Sequence, residues 1–231
     1  MKLDLIFGVA GARSEFINGW LSSLSDYNST FRWEIDELTG KSFIDPTLMQ
    51  FCNTKTCNLI SECEKFFNKF NYDVNKIFSS AYHPHFLNNH ITEDDLKNHD
   101  FRFISITQKK ESKCKIFWEC IIKNYFPYSK NITEEHLNSS EYMFNNIKNC
   151  YNNGRWVDEG IKKWDNLSLP LIKIEYEEII KPSGSYYLQE KLNLTVTEKD
   201  HKYWEEQLRK SHSPLEVECF GKVFKYEDLL C

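Results

Sequence analysis

Apolar positions along the chain change their spacing several times, and each change marks an element. Residues 3–9 form a short apolar run interrupted at Asp4, with the length and density of a strand buried inside a parallel sheet. After Ser14 the apolar positions Phe16, Ile17, Trp20, Leu21 and Leu24 recur at helical spacing. Three further runs read as buried strands: 76–82 "KIFSSAY", bounded by Pro84; 101–107 "FRFISIT"; and 169–176 "LPLIKIEY". Helical periodicity fills the intervals. It runs through Leu59, Ile60, Cys63, Phe66, Phe67 and Phe70 over 58–70, and through Ile116, Phe117, Cys120, Ile121 and Tyr125 over 112–125. Residues 133–152 read as a third such helix. Thr197, Glu198 and Asp200 read as the N-terminal cap of a helix running to Lys210.

Strands alternating with helices imply a mainly parallel sheet covered on both faces, an α/β/α sandwich of three layers. With no internal repeat, low-complexity tract or linker, the economical reading is one domain over 1–231, with the polar, irregular stretch 26–57 as a substrate-side insertion or lid. At 231 residues, 41% hydrophobic and 15% aromatic, the chain has enough apolar material for a substantial core.

Charge and cysteine content narrow the partners. A net charge of −5 argues against a general nucleic-acid binder while leaving room for a local basic pocket. No apolar run approaches the roughly 20 residues that span a bilayer, so no membrane partner is expected. The eight cysteines are scattered without a C-x-x-C pair, which disfavours a structural metal and suits free thiols in a reducing, cytoplasmic setting. Sequons at Asn28, Asn131, Asn138, Asn166 and Asn193 are expected by chance in a chain this rich in Asn and Ser.

The stretch "LIFGVAGARSEF" (5–16) carries most of the functional content. Lys2, the apolar run and Ala10-Gly11-Ala12 echo a secretory leader, but Asp4 interrupts a run already too short for one. A strand, a small-residue turn and an amphipathic helix account for more of it. Such a turn presents free backbone N–H groups and the positive end of the helix dipole to an anion. Gly8 and Gly11 permit a tight turn and close ligand approach, Arg13 offers a cation and Ser14 a hydroxyl donor. The alternative is that the glycines merely make a tight turn. The stretch is not an ATP-binding P-loop: counting back from Arg13-Ser14, the required glycines fall on Phe7 and Ala12, and the lysine is an arginine.

"GVAGARSEFINGWLSSL" resembles the 5′-phosphosulfate loop of sulfotransferases, in which a strand runs through Gly-x-x-(Arg/Lys)-Ser-Gly-Thr-Thr into a helix. "LIKIEYEEIIKP" (171–182) is similar to that family's later strand with its Tyr-Glu-Asp-Leu and trailing Pro, and Trp164 fits the same layout. "SSAYHPH" (79–85) resembles the second-strand segment that carries the family's catalytic histidine. The resemblance implies a P-loop-like fold, the donor 3′-phosphoadenosine 5′-phosphosulfate (PAPS), no metal, and sulfuryl transfer to a hydroxyl or amine of a small-molecule or glycan acceptor.

It also implies roles. Arg13 and Ser14, with the amides of Gly11, Ala12, Arg13, Ser14 and Glu15, would hold the 5′-phosphosulfate, and Glu15 stands where the family has glycine. The family's third strand leads to an Arg and, eight residues later, a Ser that hold the 3′-phosphate. The matching places here are Thr107 and Lys115, and Lys109, Lys110 and Lys113 would supply the charge.

Sulfuryl transfer needs an in-line nucleophile, a proton acceptor and cations beside the leaving phosphate. His83, after the strand at 76–82, belongs at the strand's carboxyl end, where ligands of open α/β sheets bind. Its ordinary pKa, near 6.5, suits a general base, and His85 is the alternate. The bland reading makes both histidines polar loop residues around Pro84. Glu175 and Glu177 read as structural or solvated, and Arg155 as a surface residue or an anion contact. The closing "FKYEDLL" (224–230) repeats the Tyr-Glu-Asp-Leu look without an adequate strand before it. Two competing functions stay open: a nucleotide or small-molecule kinase, and a non-catalytic relative that has lost donor binding.

Overall fold

The computed structural model describes residues 1–8, 11–28, 33–35, 42–44, 59–70, 72–82, 91–124, 171–219 and 222–229. Its centre is a four-stranded, wholly parallel sheet. The strands are β1 (Lys2–Phe7), β4 (Ile77–Tyr82), β5 (Asp100–Thr107) and β6 (Leu171–Glu175), in the order β4-β1-β5-β6. Among the described residues two short antiparallel pairs accompany this sheet: β2 (Trp33–Ile35) with β3 (Ser42–Ile44), and β7 (Glu216–Cys219) with β8 (Lys222–Lys225).

Alternation along β1 explains the apolar run. Leu3, Leu5 and Phe7 pack with Phe78 and Phe103 of the neighbouring strands and with Ile60 and Cys63 of α2 (Leu59–Phe70). Ile6 joins Ile104, Ile106 and Ile174 against α1 (Ser14–Ser23) and the carboxyl-terminal helices. A central strand needs both faces apolar, and Asp4 is the exception. Parallel register sets Asp4 opposite Arg102. Arg102 donates from Nε to Asp4 Oδ1 at 2.7 Å and from one Nη to Asp4 Oδ2 at 2.6 Å. Tyr27 donates to the same carboxylate at 2.5 Å and accepts from Arg102 at 2.7 Å, while the second Nη of Arg102 reaches the Leu192 carbonyl at 2.7 Å.

Burial alone would lower the proton affinity of Arg102, but hydrogen bonds and charge from Asp4 outweigh it and hold the guanidinium above its ordinary value. Burial, then the Asp4 charge, pushes the Tyr27 phenol well up.

After β6 the described residues form three α-helices, α5 (Tyr176–Ile179), α6 (Gly184–Leu192) and α7 (Glu198–Lys210). Thr197 and Asp200 close a capping box on α7, so the expected helix start stands. Trp204 of α7 meets Phe16 and Trp20 of α1 edge-on, with ring centroids 4.8 and 5.1 Å apart. A similar box, Thr92 with Asp95, starts α3 (Glu93–Asn98), a short helix that periodicity did not reveal. Helix α6 was not among the expected elements either.

Helix α4 (Lys113–Asn124) follows β5 through a 3₁₀ turn at Lys110–Ser112. Its residues Phe117, Trp118 and Ile122 are covered by Val217, Phe224 and Tyr226. A strand, β8, therefore does precede the final Tyr-Glu-Asp-Leu, contrary to the sequence reading. The expected helix at 133–152, His83, His85, Arg155, Trp164 and most of 26–57 lie outside the described residues.

Candidate functional site

The chain passes from β1 to β4 on one side and returns to β5 on the other. The connections from β1 and from β5 therefore lead to opposite sides, and open parallel sheets hold their ligands at the carboxyl ends of strands at such a reversal. Three expected groups converge on that edge. The turn from Gly8 to Arg13 leaves β1, Thr107 ends β5, and the lysines at 109, 110, 113 and 115 follow it.

Among the described residues of the β1–α1 turn, Gly11 at φ 88° and Arg13 at φ 72° lie in the left-handed region. Gly11 is required there for a second reason. A Cβ on it would run into the Ile116 carbonyl oxygen and come within 3.0 Å of the Cys120 amide nitrogen, so the glycine lets the backbone of α4 approach rather than a ligand. Ala12 is fully buried. Helix α1 begins at Ser14 with no side-chain cap, and its first intrahelical bond runs from Ile17 N–H to the Arg13 carbonyl at 3.0 Å. Glu15 lies in the first turn, where a carboxylate favours the helix dipole.

Arg13 does not extend into solvent. Left-handed backbone at the N-cap turns its side chain into the protein, where only 2% of it is exposed. One Nη donates to Glu119 Oε1 of α4 at 2.9 Å, and the other donates to Ser211 Oγ, just beyond α7. Ser211 in turn donates to the Leu208 carbonyl at 2.8 Å, so its lone pair is free to accept. The guanidinium stacks over Phe16, 5.6 Å from the ring centroid. Its Nε is buried without a hydrogen-bond partner. Tyr176, also fully buried, lies beside this pair. Burial and then the Glu119 carboxylate push its phenol up, with Arg13 opposing them. The residue expected to be the cation of an open anion site is thus engaged by an internal carboxylate.

The β5 side is more open. Thr107 donates to the Ile174 carbonyl at 3.1 Å and braces β5 against β6. Lys109 and Lys110 are exposed, Lys113 and Lys115 half-buried. Four lysines stand against the single acid Glu111 between residues 107 and 115, and the first turn of α4 contains no acidic residue. Two lysines at a positive helix end repel that end, which leaves a local surplus of positive charge. Glu177 anchors the turn by accepting from the Lys109 N–H at 2.8 Å. Burial would raise its proton affinity, but hydrogen bonds from Ser112 and the Lys109 amide outweigh it and hold the carboxyl below its usual range.

Glu119, Ser211 and Tyr176 were not singled out as site residues by sequence reasoning. Glu119 had a readable signal, a lone carboxylate between Trp118 and Cys120 in an otherwise apolar helix face. Ser211 had none, because it lies 198 residues from Arg13. Among the described residues no group of His, Cys, Asp and Glu is placed to hold a metal ion, and no helix is long and apolar enough to cross a membrane. No protein-family model matches the chain, and no curated protein matches it.

Proposed function

We propose that the carboxyl edge of β1 and β5 binds the phosphate groups of a nucleotide donor, and that the chain is a PAPS-dependent sulfotransferase on a P-loop-like, three-layer fold. One observation carries the anion site: the positive ends of α1 and α4, the second bearing Lys113 and Lys115, open at neighbouring strand ends where the sheet order reverses. Ser14 and the first-turn amides of α1 would face the 5′-phosphosulfate, and Lys109, Lys110, Lys113 and Lys115 the 3′-phosphate. The identity of the transferred group rests on the resemblance of the loop and of "LIKIEYEEIIKP" to the sulfotransferase pattern.

In that reading the acceptor oxygen or nitrogen attacks sulfur in line with the bond to the 5′-phosphate. The new bond to sulfur forms as the old sulfur–oxygen bond breaks, adenosine 3′,5′-bisphosphate leaves, and the acceptor's proton passes to a base, for which His83 is the candidate.

Calorimetry with adenosine 3′,5′-bisphosphate tests the site. Micromolar binding is expected, and Lys113→Ala together with Lys115→Ala should weaken it at least tenfold. A folded chain that does not bind the bisphosphate at millimolar concentration refutes the proposal. Neutralisation of Arg13 by Glu119 favours a second reading, a relative that binds the donor without transferring from it. Bisphosphate binding with no label transferred from radiolabelled PAPS to a panel of hydroxyl and amine acceptors would select that reading.

A further inference from the structure

Resting on the anion-site reading above, we infer that Glu119 and Ser211 are positioning residues of the site and act through Arg13. In this arrangement Arg13 anchors the β1–α1 turn and is not the counter-ion of the bound anion. The turn is pinned to α4 at two adjacent points. Gly11 lies directly on the α4 backbone at Ile116 and Cys120, and Arg13 pairs with Glu119 on the same stretch of helix. Ser211 adds a third point from the end of α7, and Phe16 covers the guanidinium.

A non-glycine residue in the left-handed region costs about 1 kcal/mol or more, and it persists only where surrounding contacts hold it. Here those contacts are Glu119 and Ser211. The strained conformation in turn directs the peptide groups that open α1, the groups an anion would meet. Helix α4 also begins at the lysine turn. One rigid element therefore sets the spacing between the two halves of the site, from Glu119 near its middle to Lys113 at its start.

The rival arrangement is competition, in which Glu119 sequesters an Arg13 that would otherwise grip the ligand. The two differ in sign. If Arg13 is an anchor, Glu119→Gln and Ser211→Ala each weaken binding of adenosine 3′,5′-bisphosphate, by about tenfold, because a displaced first turn no longer aims its amides. If Glu119 competes, both substitutions free the guanidinium and binding tightens.

Calorimetry on wild type, both variants, Arg13→Gln and the double variant Arg13→Gln/Ser211→Ala reads this directly. The inference expects weaker binding in both single variants and no further loss from Ser211→Ala once Arg13 is gone, since Ser211 acts through Arg13. Unchanged or tighter binding in Ser211→Ala, or losses that simply add in the double variant, overturn it. Ser211→Ala removes no charge, so it decides the question even if Glu119→Gln fails to fold. A folded wild-type chain that ignores the bisphosphate overturns the anion-site reading and this inference together. Wild-type binding with tighter variants overturns the inference alone.

Discussion

Among the described residues two arginine–carboxylate pairs are attached to β1, one within the strand and one in the turn that leaves it, and they are built differently. Asp4 and Arg102 meet face to face across the β1–β5 register with two parallel hydrogen bonds. Tyr27 and the Leu192 carbonyl accept further bonds from the same guanidinium. That guanidinium keeps an edge towards water, with 28% of its side chain exposed. Arg13 and Glu119 are both dry, their side chains 2% exposed; one Nη of Arg13 bonds Glu119 Oε1, and its Nε is buried without a partner. Arg13 also carries left-handed backbone, whereas Arg102 lies in regular strand. A multiply bonded network in regular structure serves rigidity. Left-handed backbone beside a buried donor without a partner, the Arg13 Nε, is a common mark of a functional edge, and this second pair belongs to the turn that leaves β1.

The largest effect that would sharpen this contrast is loss of the dry carboxylate. Glu119→Ala should destabilise the fold by about 5 kcal/mol, the upper end for a buried pair stripped of one partner, while Asp4→Ala should cost about 3 kcal/mol because Arg102 can turn its charge to water. Denaturant melts of both variants measure this, and the reverse order would break the comparison.

Next in size is an alkaline effect shared by the two regions. Tyr27 and Tyr176 both hold their protons more tightly when folded. The stability they contribute is complete below the unfolded phenol value near 10 and is lost as pH rises above it, by about 1.4 kcal/mol per pH unit for each residue. Tyr27→Phe and Tyr176→Phe should each remove about half of the two residues' combined slope. An unchanged slope in either variant would mean that burial does not hold that phenol's proton.

The smallest effect lies at the lysine turn. Glu177 holds its proton less tightly when folded, so its stabilisation is present above the unfolded carboxylate value near 4.3 and fades as pH falls through the lower folded value. Glu177→Gln should therefore lower the melting temperature slightly at neutral pH, by less than about 1 kcal/mol in stability after solvent screening, and match wild type in strong acid. A difference that persists in acid would mean that Glu177 works by packing alone.

Much of the sheet was legible in advance. The runs at 3–9, 76–82, 101–107 and 169–176 became β1, β4, β5 and β6 with boundaries shifted by at most two residues. Burial on both faces writes itself into consecutive apolar residues. Helix α7 was legible through its cap for the same kind of local reason. Helix α6 was not, because Gly184 and Ser185 are buried against neighbouring elements, a tertiary preference that overrides their local character as turn residues.

The candidate site divides along the same line. Sequence alone established the strand-turn-helix unit, the glycine turn and the lysines after β5, since each depends on neighbours within a few residues. Tertiary structure decided what Gly11 and Arg13 do there: the glycine admits the backbone of α4, and the arginine closes on Glu119 and Ser211 from distant parts of the chain. A buried charge takes whatever partner the fold brings within hydrogen-bond reach, and no local pattern records that choice.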